Sequence, residues 1–141
     1  MDNEVRIEIL HKKDFKKARN LVKRCFESYI DYNKSGDMRL GDFSVIAKYE
    51  DEVVGNILVQ KIYDPYIDRV SYFLQDVCVD EKFRGQDIAT KMIDKVKEIA
   101  KKRNVESVML TCNKKRKEAR GLYNKAKFEK RDTEVFIYYI D

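Results

Sequence analysis

The stretch that decides the fold is FLQDVCVDEKFRGQDIAT, residues 73–90. Its first residues belong to a run rich in β-forming residues, 71–79, which we predict to be a strand. A polar turn at residues 81–85 follows, and residues 88–103 then carry apolar side chains at helical spacing. The sequence therefore predicts a strand, a short basic turn and a long helix in immediate succession.

A turn of this kind is suited to binding an anion. The first backbone N–H groups of a helix have no acceptor within the helix, and the helix dipole places partial positive charge beside them. Gly85 lets the backbone approach a ligand closely, and Arg84 adds a positive charge. The residues alone are compatible with a phosphate-binding loop and with an ordinary loop, because a strand, a turn and a helix with one arginine and one glycine are common.

Working outward from this stretch, alternation and helical spacing predict the other elements. The predicted helices are residues 15–32, with Asp14 as N-cap, and 118–126. The predicted strands are residues 5–10, 43–49, 53–62 and 105–112, with a further pair in 128–140 that breaks near Asp132.

This order of elements predicts the fold class. Crossovers through a helix give parallel strands, whereas the hairpin around residues 50–52 gives antiparallel ones. We therefore predict an α/β (α+β) fold with a mixed, mostly antiparallel central sheet and helices on both faces. The chain has no repeat and no Gly/Ser linker, so residues 1–141 are predicted to form a single domain.

Composition excludes several classes of protein. No apolar run is long enough to span a bilayer and the N-terminus is unlike a signal peptide, so we expect a cytoplasmic protein. With one histidine, His11, and three scattered cysteines, we expect no metal and reduced thiols. Thirty basic and 25 acidic residues give a net charge of +5. Because the two signs are interleaved, a nucleic-acid-binding module is disfavoured, although a basic excess would suit a phosphorylated ligand.

The segment RGQDIA, residues 84–89, resembles the acetyl-CoA pyrophosphate loop of the GCN5-related N-acetyltransferase (GNAT) family, whose pattern is Gln/Arg-x-x-Gly-x-Gly/Ala. A strand ending at Asn113, a helix with Tyr123 and a closing Phe128 follow in the family's order, so the resemblance covers residues 71–131. Asp87 and Lys127 depart from it, since the family usually has glycine at both positions. We expect Asp87 to cap the helix and Lys127 to adopt the turn at modest strain.

The resemblance implies a GNAT-like fold and an N-acetyltransferase that passes acetyl from acetyl-CoA, its cosubstrate, directly to a primary amine in a ternary complex. The amine is a small amine, a polyamine, or a protein or peptide amine. The implied acetyl-CoA-binding residues are Val77, Cys78, Val79, Arg84, Gly85, Gln86, Asp87, Ile88, Ala89, Thr90 and Asn113. Family members often pair through C-terminal strands, so a homodimer is possible, and neither nucleic acid nor membrane is expected as a partner.

The resemblance also implies proton-handling groups, because a neutral amine must form and the departing thiolate must be protonated. Tyr123 matches the family's tyrosine that protonates the sulfur. Asp76 is our first candidate for the base, with two alternatives open: a water relay, or a carboxylate turned away into a structural hydrogen bond. Tyr29 and Tyr32 are candidates for binding a cationic amine by cation–π attraction. The alternative function is a catalytically inactive acyl-CoA-binding regulatory domain of the same fold, suggested by Asp87 and Lys127.

Overall fold

The computed structural model describes residues 4–26 and 36–140. The strands are β1 (Arg6–Ile9), β2 (Phe43–Tyr49), β3 (Glu52–Asp64), β4 (Arg69–Val79) and β5 (Ser107–Met109). The helices are α1 (Phe15–Cys25), α2 (Ile88–Lys102) and α3 (Lys117–Lys125), with short 3-10 turns at Lys12–Asp14 and Glu81–Phe83. The chain divides into two compact units between Thr111 and Cys112, the first holding β1 to β5 with α1 and α2, the second holding α3.

The first unit contains a five-stranded sheet in the order β1-β2-β3-β4-β5. Three neighbouring pairs are antiparallel, and β4 and β5, which are joined through α2, are parallel. The mixed, mostly antiparallel sheet is thus confirmed. The expectation that a crossover through a helix gives parallel strands was wrong for β1 and β2, because the connection from Leu10 to Asp42 is long enough to return to either end of β1.

Helices α1 and α2 cover opposite faces of this sheet. Buried residues of α1 form one cluster with residues of β2, β3 and β4: Ala18, Leu21, Val22, Ile46, Val53 and Cys78. On the other face, a Cβ added at Gly55 would lie 3.0 Å from the Cβ of Ala47 and 3.0 Å from the end of Met92 in α2. Helices on both faces are therefore confirmed for α1 and α2.

Helix α1 begins at a buried ion pair. Asp14 occupies the N-cap position, as predicted, but its side chain makes no capping hydrogen bond. Instead the Asp14 carboxylate accepts from Nζ of Lys48 on β2 at 3.0 Å, with side-chain exposures of 3% and 6%. A strand lysine that points at the helix start therefore replaces the local cap.

The C-terminal segment departs from the sequence prediction. Residues 128–140, predicted as a strand pair, form no regular secondary structure, and the six apolar side chains from Val135 to Ile140 are 70–88% exposed. The alternation in sequence reports strand propensity, whereas a strand also needs a hydrogen-bonded neighbour, which is a non-local condition. None of the helices described in 4–26 and 36–140 has the length and apolar character to cross a membrane.

Candidate active site

The predicted site begins at a β-bulge in β4. Between the register pairs Asn56–Cys78 and Leu58–Gln75, two residues of β4, Asp76 and Val77, stand opposite Ile57 alone. Asp76 has φ +53°, in the left-handed region that a strand residue other than glycine seldom adopts. The side-chain amide of buried Asn56 donates to the carbonyl oxygen of Asp76 at 3.1 Å and holds the bulge in place.

This bulge changes which residues face α1. Side chains alternate between the faces of a strand, and one extra residue shifts that alternation. Because of the extra residue, Cys78 lies in the core cluster beneath α1, on the same face as Ile46. Val77 lies outside the regular pairing of β3 with β4, so the placement of its backbone N–H and C=O groups differs from that of an ordinary strand residue.

The turn after β4 is anchored to two other elements. The carboxylate of Asp80 accepts from the backbone N–H of Lys82 at 3.0 Å and from Nη2 of Arg24 in α1 at 3.2 Å. The Asp80 N–H donates to the carbonyl of Val54 in β3 at 2.8 Å. Arg84 in turn donates from Nε to the carbonyl oxygen of Val79 at 3.2 Å. The end of β4 and the start of the turn are therefore fixed in relation to α1 and β3.

The turn itself contains two left-handed residues, Gly85 at φ +82° and Asp87 at φ +59°. Asp87 stands at the N-cap of α2, but the predicted capping hydrogen bond is absent, so that expectation was wrong. An N-cap usually has an extended backbone, from which its side chain reaches the next N–H groups, and a left-handed backbone removes that reach. A glycine at this position, as the resembled family usually has, would adopt this left-handed backbone without strain.

The geometry of this turn suits a bulky anion. Arg84, Gly85, Gln86 and Asp87 are exposed, and a Cβ added at Gly85 would meet nothing within 4 Å. The first hydrogen bond of α2 runs from Lys91 N–H to the carbonyl of Asp87 at 3.0 Å, so the N–H groups of Ile88, Ala89 and Thr90 precede the helical pattern. The side chain of Ile88 is buried, and only its backbone can serve a ligand.

Two carboxylates of the first unit, Asp76 and Asp80, have pKa values shifted in opposite directions. Burial raises the pKa of Asp76, which lies at the bulge, because an ionised carboxylate loses hydration there. Asp80 behaves oppositely, since the hydrogen bond from the Lys82 backbone lowers its pKa, against the effect of burial, with help from Arg24. The two carboxylates are four residues apart in sequence, yet the raised pKa of Asp76 favours its protonated form and the lowered pKa of Asp80 favours its charged form.

In the second unit, Tyr123 of α3 is half-buried and packs edge-on against Phe128, with ring centroids 5.8 Å apart. Burial, together with nearby Cys112, raises the pKa of Tyr123, and Arg116 acts in the opposite direction. The phenol therefore stays protonated near neutral pH and is able to donate. Lys127 has φ +68°, and the turn it forms allows the Phe128 N–H to donate to the Tyr123 carbonyl at 3.0 Å.

Asn113 begins the turn that leads to α3. Its side-chain oxygen accepts from the Lys115 N–H at 2.9 Å, and its backbone carbonyl accepts from the Arg116 N–H at 3.0 Å. Asn113 therefore acts as a turn residue in this structure. The side-chain NH₂ group is the donating part of this amide.

The structure thus brings Asp76, Val77, Cys78 and Val79 into one continuous strand, turn and helix start with residues 84–90. Asn113 and Tyr123 belong to the second unit, and Tyr29 and Tyr32 lie outside the described residues. In residues 4–26 and 36–140, no group of three or more His, Cys, Asp or Glu side chains is placed to hold a metal ion.

Sequence reasoning missed the residues that hold the turn and the bulge, namely Arg24, Asp80 and Asn56. Only Asn56 carried a local signal. It is a polar residue inside the apolar run of β3, and a buried amide needs a hydrogen-bonding partner.

Comparison with known proteins agrees with this geometry. The model of the acetyltransferase (GNAT) family matches residues 9–128, which include the bulge, the turn and Tyr123. The chain belongs to the GNAT family. This membership confirms the family that the sequence predicted.

Human N-acetyltransferase 8B is 26% identical over 125 residues, which are 82% of this chain and 55% of that protein. This GNAT chain therefore spans about half the length of that curated relative. Among solved structures, an aminoglycoside acetyltransferase from an uncultured soil metagenomic sample matches with TM-score 0.85 and 21% identity, over 99% of this chain and 97% of its own. Ribosomal-protein-alanine N-acetyltransferase from Brucella melitensis biovar Abortus 2308 matches with TM-score 0.76 and 19% identity, over 98% and 100%. These structural matches confirm the GNAT-like fold.

Proposed function

We propose that this protein transfers acetyl from acetyl-CoA to a primary amine by direct attack of the amine in a ternary complex. The observation that carries the proposal is the continuous segment in which a bulge at Asp76 leads through a left-handed turn to the start of α2. One part of this segment suits the thioester end of the cosubstrate and the other suits its phosphates.

The strand end Val77–Val79 is proposed to hold the pantetheine arm. The bulge takes Val77 out of the regular ladder, so its backbone groups can pair with amides of a ligand laid along the strand. A backbone N–H there would also stabilise negative charge that develops on the thioester oxygen. Asn56 donates to the carbonyl of Asp76, just before this stretch, and Arg84 donates to the carbonyl of Val79, at its end.

The turn at Arg84–Thr90 is proposed to bind the pyrophosphate. Its left-handed backbone at Gly85 opens the space, the first N–H groups of α2 supply donors, and Arg84 supplies positive charge. The carboxylate of Asp87 works against this by like-charge repulsion, which its exposure to solvent screens.

Two groups are proposed to handle protons. Asp76 takes the proton from the attacking ammonium, since burial raises the pKa of Asp76 toward the range of a useful base, and a water relay is the alternative. Tyr123 returns a proton to the departing thiolate, since its raised pKa keeps the phenol protonated.

The acceptor is proposed to be a cationic amine, bound in part by Tyr29 and Tyr32 through cation–π contacts. The names of structural relatives refer to acceptors as different as aminoglycosides, ribosomal-protein alanine and glucosamine-6-phosphate. The acceptor therefore has to be identified by experiment on this chain. The homodimer and the cytoplasmic location predicted from sequence also stay predictions.

The second candidate function is an inactive acyl-CoA-binding domain. It is favoured by one observation, the exposed carboxylate of Asp87 inside the phosphate turn without a capping bond. Both candidate functions include binding of acetyl-CoA, but only the acetyltransferase would turn it over.

The test is release of free thiol from acetyl-CoA across a panel of amines, for the wild type and Tyr123→Phe. Amine-dependent release that falls about 10²-fold in the variant is the expected result for a general acid. Acetyl-CoA binding without release on any amine would support the inactive domain instead. An unchanged rate in Tyr123→Phe would remove this tyrosine from the mechanism.

A further inference from the structure

Two cysteines meet at the junction of α1 with the proposed cofactor segment. Cys25 ends α1, is partly exposed and packs against the core cluster that contains Cys78 of β4. Interaction between the two thiols shifts the pKa of each. They meet because the bulge turns Cys78 toward α1, where regular alternation from buried Leu74 would have turned it to the opposite face.

Two arginines, Arg84 and Arg24, act on the more exposed of the two thiols, against the charge of Asp80. Cys25 Sγ lies 4.0 Å from the carbonyl oxygen of Val79, the same oxygen that accepts from Nε of Arg84 at 3.2 Å. Arg24, the preceding residue, lies 3.2 Å from Asp80. Reactive cysteines are found in such partly exposed, electropositive surroundings, because the thiolate is the nucleophile.

The two thiols are unequal. The hydrogen bond from Cys78 lowers the pKa of Cys25 to about 7, with Arg84 and Arg24 adding to the effect and burial and Asp80 opposing it. The same contact and burial raise the pKa of Cys78. Near neutral pH, Cys25 is therefore the thiol that ionises more readily, whereas Cys78 stays a neutral thiol.

We propose that Cys25 and Cys78 are a peroxide-oxidisable dithiol, in which Cys25 reacts first and Cys78 resolves the product as a disulfide. The Cys25 thiolate attacks a peroxide oxygen, the O–O bond breaks, and Cys25 becomes a sulfenic acid while the other oxygen leaves as hydroxide and takes up a proton. The sulfur of Cys78 then loses its proton and attacks the Cys25 sulfur, and water leaves. Two thiols are oxidised and one hydrogen peroxide is reduced to two waters.

The disulfide would join α1 to the strand end proposed to bind pantetheine. Cys78 stands between Val77 and Val79, so the covalent link fixes the backbone that would otherwise adjust to the cosubstrate. Loss of acetyl-CoA binding on oxidation is therefore expected, and this consequence rests on the proposed function. The formation of the disulfide does not.

The test treats the full chain with hydrogen peroxide at a concentration that leaves most free glutathione reduced over the same interval, followed by thiol alkylation and peptide mapping. The wild type is expected to lose two of its three thiols, with one bridge between the Cys25 and Cys78 peptides that dithiothreitol reverses. Cys112→Ser is the matched control and is expected to form the same bridge. Cys78→Ser is expected to accumulate a sulfenic acid on Cys25 that dimedone traps, and Cys25→Ser is expected to keep its Cys78 thiol.

A wild type that keeps its three thiols, a bridge to Cys112, or a bridge between two chains would overturn the proposal. Peptide mapping of the wild type decides this even if Cys78→Ser fails to fold. Calorimetric titration of acetyl-CoA into the oxidised and re-reduced protein then tests the consequence separately. A bridge that forms while acetyl-CoA still binds would contradict the placement of pantetheine at Val77–Val79 and leave the dithiol established.

Discussion

The two helices that cover the sheet both start at an aspartate, and the two aspartates do different things. Asp14 before α1 and Asp87 before α2 each stand at the N-cap, and neither makes a capping hydrogen bond. Asp14 is 2% exposed, has φ −99° and pairs with Lys48. Asp87 is exposed and left-handed. One helix start therefore stabilises the fold, whereas the other exposes its backbone and charge where a ligand is proposed to bind.

The difference extends to the surrounding backbone. Between Asp76 and Asp87 the chain has three left-handed residues, of which only Gly85 is a glycine. Such conformations cost free energy in residues other than glycine and concentrate at functional sites. The region from Asp76 to Asp87 therefore carries strain where the ligand is proposed to bind, and the start of α1 supplies an ion pair that ties α1 to β2.

The largest effect is expected at the stabilising helix start. Asp14→Ala leaves the ammonium of Lys48 buried without its partner, and removing one member of a buried pair costs about 3–5 kcal/mol. Because Asp51 still lies 3.8 Å from Lys48, we expect about 3 kcal/mol in the free energy of unfolding measured with urea. The double variant Asp14→Leu/Lys48→Met is the control and should recover to within about 1 kcal/mol of the wild type.

A loss below about 1 kcal/mol in Asp14→Ala would show that the pair is solvated and that the comparison is wrong.

The pH dependence of the free energy of unfolding tests the same ion pair in a second way. The hydrogen bond from Lys48 holds the pKa of Asp14 below its ordinary 3.8, against the effect of burial. The carboxylate therefore contributes its stability above pH 3.8 and loses it as the pH falls through the folded-state pKa. The stability difference between wild type and Asp14→Asn should shrink in that acidic window.

The next effect is expected at the bulge. Asp76→Asn keeps a residue that tolerates the left-handed backbone and removes the base, so kcat/KM should fall about 10²-fold with little change in stability. Asp68→Asn is the matched control, because Asp68 is also left-handed, at φ +49°, and lies outside the proposed site. A normal rate in Asp76→Asn would leave the water relay as the base and assign the Asp76 carboxylate a structural role.

A smaller effect is expected at the turn. Asp87→Asn removes the like charge beside the proposed pyrophosphate and keeps the backbone, so acetyl-CoA should bind about two- to fivefold more tightly at low salt. The gain should decline as salt screens the charge. Lys127→Asn is the control, another left-handed residue, and should leave affinity almost unchanged. Weaker binding in Asp87→Asn would mean that this carboxylate contributes to the site.

Much of the fold could be predicted from sequence because the signals were local. Strand β2 has the predicted bounds, Phe43–Tyr49, and α2 begins at the predicted Ile88. Apolar patterning also predicted strands β3 and β4 to within two residues at each end, and the predicted hairpin of β2 with β3 is present. The turn proposed to bind pyrophosphate was predicted from its resemblance to the family pattern, and the left-handed backbone at Asp87, where that pattern has glycine, became evident only in the structure.

The remaining features depend on partners that are distant in sequence. The Asp14–Lys48 pair spans 34 residues, and the contact between Cys25 and Cys78 requires both a helix end and a bulge. The antiparallel pairing of β1 with β2 and the absence of strands in residues 128–140 likewise depend on pairing and not on propensity. Local patterns therefore predict elements, whereas contacts between elements need the structure.

The measurement that tests the account most directly is calorimetric titration of acetyl-CoA into the wild type, Gly85→Ala and Gly121→Ala. Neither new Cβ would meet an atom within 4 Å, but only Gly85 has a positive φ and lies in the proposed pyrophosphate turn. We expect one-to-one binding to the wild type and Gly121→Ala, and affinity about tenfold weaker in Gly85→Ala, because a side chain there disturbs the close approach of backbone to phosphate. Equal affinity in all three proteins, or no binding to the wild type, would contradict the proposed site.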